Sequence, residues 1–168
     1  MTDKYFKDNA RNRGIKLVEI LLEKEAVCDI VFERSGWNNV ELLNCRVRNL
    51  ELVFCGLEVC NLANSEFENL FWQHSGMKNS KVTGAGFPEA IIEGAEFNNC
   101  KLDLANFKFA KITNSAFNNC ELQNTEFQGV TLKNTSFLNC NLSNTNFSQA
   151  EFKEVDLRHS ILNNTRID

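Results

Sequence analysis

The chain has 168 residues, enough for one domain or one modest repeat array, and a net charge of -4 from 18 basic and 22 acidic side chains. This mild acidity gives no electrostatic reason to expect a nucleic-acid binder, which normally needs a basic stripe to displace counterions from phosphates, so no direct nucleic-acid binding is expected. A composition 43% hydrophobic and 24% charged, with one Pro and 8 Gly, excludes a disordered or linker-rich chain.

Residues 1 to 26 read as an N-terminal cap, partly helical. Thr2 or Asp3 stands where a helix N-cap would, Gly14 near where the helix would end, and Tyr5, Phe6 and Ala10 would share one face. The stretch IKLVEILLEKEA, residues 15 to 26, suits a helix through Leu17, Val18, Leu21 and Leu22. It also suits a beat of five through Ile15, Leu17, Ile20 and Leu22. The opening MTDKYFKDNARNRG leads into no signal-like apolar segment, and no apolar run reaches the roughly 18 residues of a membrane span. The 7 cysteines then read as reduced thiols, and the expected location is the cytoplasm.

From Leu17 to Ile167 every position ending in 2 or 7 is apolar and larger than alanine, without a slip. Neither a strand nor a helix has this period. Two before each centre the residue is usually small (Ser65, Ala85, Cys100, Thr125), and the residue between is usually polar. Small-in, polar-out, bulky-in is a three-residue strand, and the remaining two residues, often Asn or Gly, make a turn. Five residues therefore form one side and one corner.

A longer period lies over the first. Cys60, Cys100, Cys120 and Cys140 are separated by multiples of 20, as are Asn79, Asn99, Asn119 and Asn139. Four sides then close a coil, like residues stack, and two opposite sides carry Phe while the other two carry Leu or Ile. Residues 27 to 168 are expected to form this rod, about seven coils and on the order of 35 Å long at roughly 4.8 Å per coil.

The units CNLAN, AEFNN, ANFKF, CELQN, TNFSQ and VDLRH resemble the pentapeptide-repeat family, clearly over residues 60 to 168 and in degenerate form back to about residue 27. The resemblance implies an all-β fold, a right-handed quadrilateral parallel β-helix; the handedness comes from the resemblance alone.

The cysteine column has no C-x-x-C spacing and no histidine beside it, since His74 and His159 lie elsewhere, so the thiols read as core filling. No catalytic, cofactor or metal residues are assigned, and no Ser-His-Asp set, carboxylate pair or phosphate loop is present. The irregular stretch VTGAGFPEA, residues 82 to 90, is expected to bulge at Pro88, which cannot donate a strand hydrogen bond. Gly36, Gly56 and Gly76 form another 20-residue column, expected to relieve crowding around Trp37 and Met77. Three outward positions break the polar rule: Phe71 and Ile91, 20 apart, and Phe109, one coil further on beside Lys111. Together they form a candidate protein-contact patch.

The functional expectation is a non-enzymatic protein-binding or scaffolding rod, with no membrane association. The alternative, implied by the resemblance to Qnr-type quinolone-resistance proteins of the family, is a DNA mimic that binds DNA gyrase or topoisomerase IV. Residues 60 to 168 hold 12 acidic and 9 basic side chains, a net of only -3, and Lys81 stacks on Lys101 where a phosphate mimic would want carboxylates. At Asp168 the sequence stops one residue after a centre, so this uncapped C-terminal end is expected either to pair with another molecule, as in a homodimer, or to be exposed by truncation of a longer chain.

Overall fold

The computed structural model describes residues 4–168, and strand follows strand throughout. Three short strands, Arg11–Arg13, Lys16–Val18 and Leu21–Glu23, open the first turn. Ala26–Glu33, Gly36–Asn38 and Glu41–Leu43 follow in the next. Register never changes: Lys16 pairs with Gly36, Gly36 with Gly56, Gly56 with Gly76 and Gly76 with Glu96, all in parallel. A constant offset of 20 residues means that each coil has four faces. In chain order their centres run through Phe32, Leu52 and Trp72 on the first, and Trp37, Leu57 and Met77 on the second. Leu42, Leu62 and Val82 centre the third face, and Val47, Phe67 and Phe87 the fourth. The chain is a parallel β-solenoid.

The centres fill the rod. On the fourth face Phe67, Phe87, Phe107, Phe127 and Phe147 form one stack, with ring centroids 4.9 to 5.2 Å apart. On the opposite second face Phe97, Phe117 and Phe137 stack at 4.7 Å. The two columns meet edge to face across the core, at 5.8 Å between Phe127 and Phe137.

The small residue two before each centre has a second task besides leaving room. Its hydroxyl or thiol donates to the carbonyl of a centre in the coil below, as Ser65 does to Leu42 at 2.7 Å, Thr145 to Leu122 at 2.8 Å and Cys140 to Phe117 at 3.3 Å. Serine also accepts: Cys45 and Cys55 donate their N–H groups to Ser65 and Ser75 of the coil above, at 2.9 and 2.8 Å. Buried main-chain groups that the corner leaves over are thereby paired, which explains why Ser, Thr and Cys share this column with Ala.

Every corner turns on one residue with a left-handed backbone, every fifth position from Asn9 to Asn164. Asparagine adopts this region more easily than other side chains, and its stacked amides add bonds between coils, as from Asn69 to Asn49 at 3.0 Å and from Asn134 to Asn114 at 2.9 Å. Val59 sits at such a corner with φ of 54°. A β-branched side chain there costs about 1–2 kcal/mol, so Val59→Asn is expected to raise stability by about 1 kcal/mol in chemical denaturation. A decrease would show that Val59 makes internal contacts outweighing its backbone strain.

Two expectations are corrected. The helical cap is not formed: there is no helix among the described residues, and Thr2 and Asp3 lie outside them. Between residues 15 and 26 the beat of five prevails over the helical reading, because Leu17 and Leu22 enter a stacked core that an isolated helix would not offer them. The end is closed instead by Phe6, fully buried against Phe32 and Trp37 with centroids 5.3 and 5.4 Å away. Nor does Pro88 cause a bulge. It occupies the second position of a turn closed by the N–H of Ala90 donating to Phe87, with the left-handed Glu89 following, a type II arrangement that favours Pro there. The register of Gly86 with Asn106 is kept.

Candidate functional site

With the core filled by its own side chains, only outward positions and corners can meet another molecule. Phe71 lies in the strand Phe71–Gln73, half-buried, paired in register with Glu51 on one side and Ile91 on the other. Ile91 is exposed and pairs with Lys111 in the next coil. Phe71 and Ile91 are therefore direct neighbours on the first face. Phe109 occupies a left-handed corner, exposed, and its ring leans onto the following coil, where a Cβ at Gly129 would lie 2.5 Å from it. Its ring thus points along the rod away from Ile91, with Lys111 standing above Ile91 in the column.

Three further corners carry apolar side chains that the sequence reading does not single out. Phe54, Val59 and Leu104 all have left-handed backbones and are about half exposed (53%, 49% and 59%). The signal is present in the sequence: each is a bulky apolar residue at a corner position that asparagine, glycine or a charged or polar residue otherwise fills, Phe109 apart. Phe54 also belongs to a surface ladder. It stacks on His74 at 5.3 Å with the planes 16° apart, and the Arg34 guanidinium lies 6.0 Å over its other side.

The glycine column also reads differently in three dimensions. A Cβ at Gly36 or Gly56 would meet nothing within 4 Å, and at Gly76 only the Glu96 carbonyl oxygen at an ordinary 3.7 Å. None of the three has a left-handed backbone. The expected relief of crowding is therefore not needed, although glycine in a strand costs about 0.5–1 kcal/mol. What the column does produce is a groove of about 620 Å³ along the second face, from Lys16 to Glu96.

Charge is mixed on every side. Lys78 pairs with Glu58 at 3.1 Å and Lys108 with Glu126 at 3.8 Å, while Lys81 is bridged to Lys101 and Lys133 to Lys153 in the parallel ladder. Six of the seven thiols are buried in the core, where burial pushes Cys60 up to about 11; Cys28 instead stands outward, half-buried, and the hydrogen-bonded carboxylate of Asp29 holds it up to about 11. Among the described residues no group of three or more His, Cys, Asp or Glu could hold a metal ion. No helix among them is long and apolar enough to cross a membrane.

One carboxylate is perturbed in the opposite sense from a surface acid. Glu66 lies over Gly86, where a Cβ would collide with its carboxylate, and burial raises its pKa above the ordinary value, helped by Glu68. A folded-state pKa above the unfolded one contributes stability at acid pH that is lost as pH rises through it. Glu66→Gln is accordingly expected to raise the melting temperature at pH 7 and leave it unchanged at pH 3. An equal shift at both pH values would remove burial of the charge as the cause.

A rod of stacked parallel coils with a closed core and its features on the outside belongs to the solenoid class, whose members work through their surfaces. Residues 110–168 match the family model described as the pentapeptide repeat region. The same register and columns continue from there toward the N-terminus. None of the curated proteins compared with the chain matches it. Similar solved structures include a trypsin-treated variant of QnrB1, a plasmid-mediated fluoroquinolone resistance protein, with 20% identity over 95% of this chain and 92% of that one and a TM-score of 0.45. Rfr23, a pentapeptide-repeat protein from the cyanobacterium Cyanothece 51142, shows 13% identity over 90% of each chain with a TM-score of 0.47. HetL, a pentapeptide-repeat protein involved in heterocyst differentiation regulation in Nostoc sp. strain PCC 7120, shows 14% identity over 91% of this chain and 87% of that one with a TM-score of 0.32.

Proposed function

We propose that the protein is a non-enzymatic binding rod, cytoplasmic, that contacts a protein partner through Phe71, Ile91 and Phe109. The observation that carries this reading is the in-register pair of Phe71 and Ile91, two large apolar side chains on an outward column that is otherwise mostly polar. Family members are generally structural or binding proteins, which agrees with it. The exposed centres Phe152, Leu162 and Ile167 supply a second apolar surface, suited to a homodimer contact at the C-terminal end.

Topoisomerase binding by DNA mimicry has less support. A phosphate mimic needs a continuous acidic stripe, and the stacked pairs Lys81–Lys101 and Lys133–Lys153 interrupt the third and first faces. A gyrase supercoiling assay with the purified chain separates the two readings: neither inhibition nor protection from a quinolone is expected, and either effect would restore the mimic.

Affinity capture with the wild type and with a Phe71→Ser, Ile91→Ser double variant tests the patch. Truncating a central aromatic contact commonly costs about 2 kcal/mol, so a partner of the wild type should bind the variant roughly 30-fold more weakly. Equal retention by both would move the contact off this face.

A further inference from the structure

We infer that the second face is a self-association surface, on which two copies pack antiparallel about a two-fold axis running along the strand Gly56–Glu58. Three observations converge on that strand. The glycines at 36, 56 and 76 answer no internal need, for added Cβ atoms would meet open space or ordinary contact, yet they open a groove of about 620 Å³ along the face. The corners that bound the strand on either side hold Phe54 and Val59, exposed and in left-handed backbone that disfavours both. An outlier that the fold does not require points to a role outside the fold. The main-chain groups of the face are already paired from coil to coil, so a partner meets it by packing and charge, not as an added strand.

The occupant follows from the order of residues along the groove. Its outer column reads Lys16, Gly36, Gly56, Gly76, Glu96 in successive coils. Reversed and laid on itself, this column is its own complement: Gly56 meets Gly56, Gly36 meets Gly76, and Lys16 at one end meets Glu96 of the second copy, twice over. The same axis brings Phe54 onto Phe54 and Val59 onto Val59, which buries the two strained apolar corners at the centre. Glu58 also approaches its own mate, but Lys78 neutralises it within each copy at 3.1 Å. A foreign partner would have no reason to match a column symmetric about Gly56; a second copy of this chain matches it by construction.

Covalent capture reads this arrangement directly, and it is blind to any end-to-end contact. Gly56→Cys in the full chain, mildly oxidised, should give a disulfide-linked dimer at least 10-fold faster than the wild type, whose most accessible thiol is the half-buried Cys28. Gly36→Cys alone should not, since its mate lies two coils away, about 10 Å and beyond disulfide reach, whereas a mixture of Gly36→Cys with Gly76→Cys should cross-link. In sedimentation, Lys16→Glu should weaken association at least 10-fold, and adding Glu96→Lys should restore it. Phe54→Asn with Val59→Asn should also weaken it while raising the melting temperature, which separates lost association from lost folding. A wild type that stays monomeric to millimolar concentration, or Gly36→Cys cross-linking as fast as Gly56→Cys, would overturn the proposal. So would a peptide or other protein that fills the groove without dimerisation.

Discussion

Phe117→Ala is expected to lower the stability of the rod by about 3–5 kcal/mol, among the largest effects of any single truncation. The ring of Phe117 is fully buried and lies parallel, within 6°, to Phe97 below and Phe137 above, both at 4.7 Å. Removing it leaves a cavity facing two neighbours that cannot close on it, because their own spacing is fixed by the parallel ladder joining Phe97, Phe117 and Phe137. Domain stabilities are about 5–15 kcal/mol, so this loss consumes a large share. In a solenoid each coil leans only on its neighbours, so hydrogen exchange should accelerate first in the coils on either side of residue 117. Chemical denaturation measures the total, and Phe117→Leu, which keeps most of the volume, should cost less than half as much. A loss below about 1 kcal/mol for the alanine variant would mean that the stack is not a principal source of stability.

Phe6→Ala is expected to have an effect of similar size, about 3–5 kcal/mol, but a different signature. Phe6 is fully buried and closes the end of the rod over Phe32 and Trp37, which themselves meet edge to face at 4.9 Å. Without this ring the first coils present their apolar cross-section to water. Trp37 should become solvated while Trp72, farther along the rod and donating its indole N–H to the Ser75 carbonyl at 2.8 Å, should not. Tryptophan emission should therefore shift to the red by the contribution of one of the two indoles, and Phe6→Leu should restore most of the native spectrum. An unshifted spectrum would show that other residues close the end.

Much of the core is legible in the sequence. The apolar centres, the small column and the alternation of Phe with Leu faces are readable because each coil repeats the same local geometry 20 residues on, so that a position in the sequence is also a position in space. Phe6 escapes this rule because it lies before the frame begins and is buried only by what folds back over it. Pro88 reads in the sequence as a strand residue lacking its donor, whereas it stands where a type II turn needs no N–H.

The candidate patch is legible only in part. The pairing of Phe71 with Ile91 follows from the period, but the lean of Phe109 over Gly129 depends on the missing Cβ one coil away. The strained corners at Phe54, Val59 and Leu104 carry a readable signal that only the backbone angles make significant. The sequence by itself determined the coil, its register and its filled core, since these rest on which side chains recur at which spacing. The tertiary structure alone decided how the N-terminal end closes, why the glycine column is open and which way the outward side chains lie, because each depends on the space around an atom rather than on the identity of a residue.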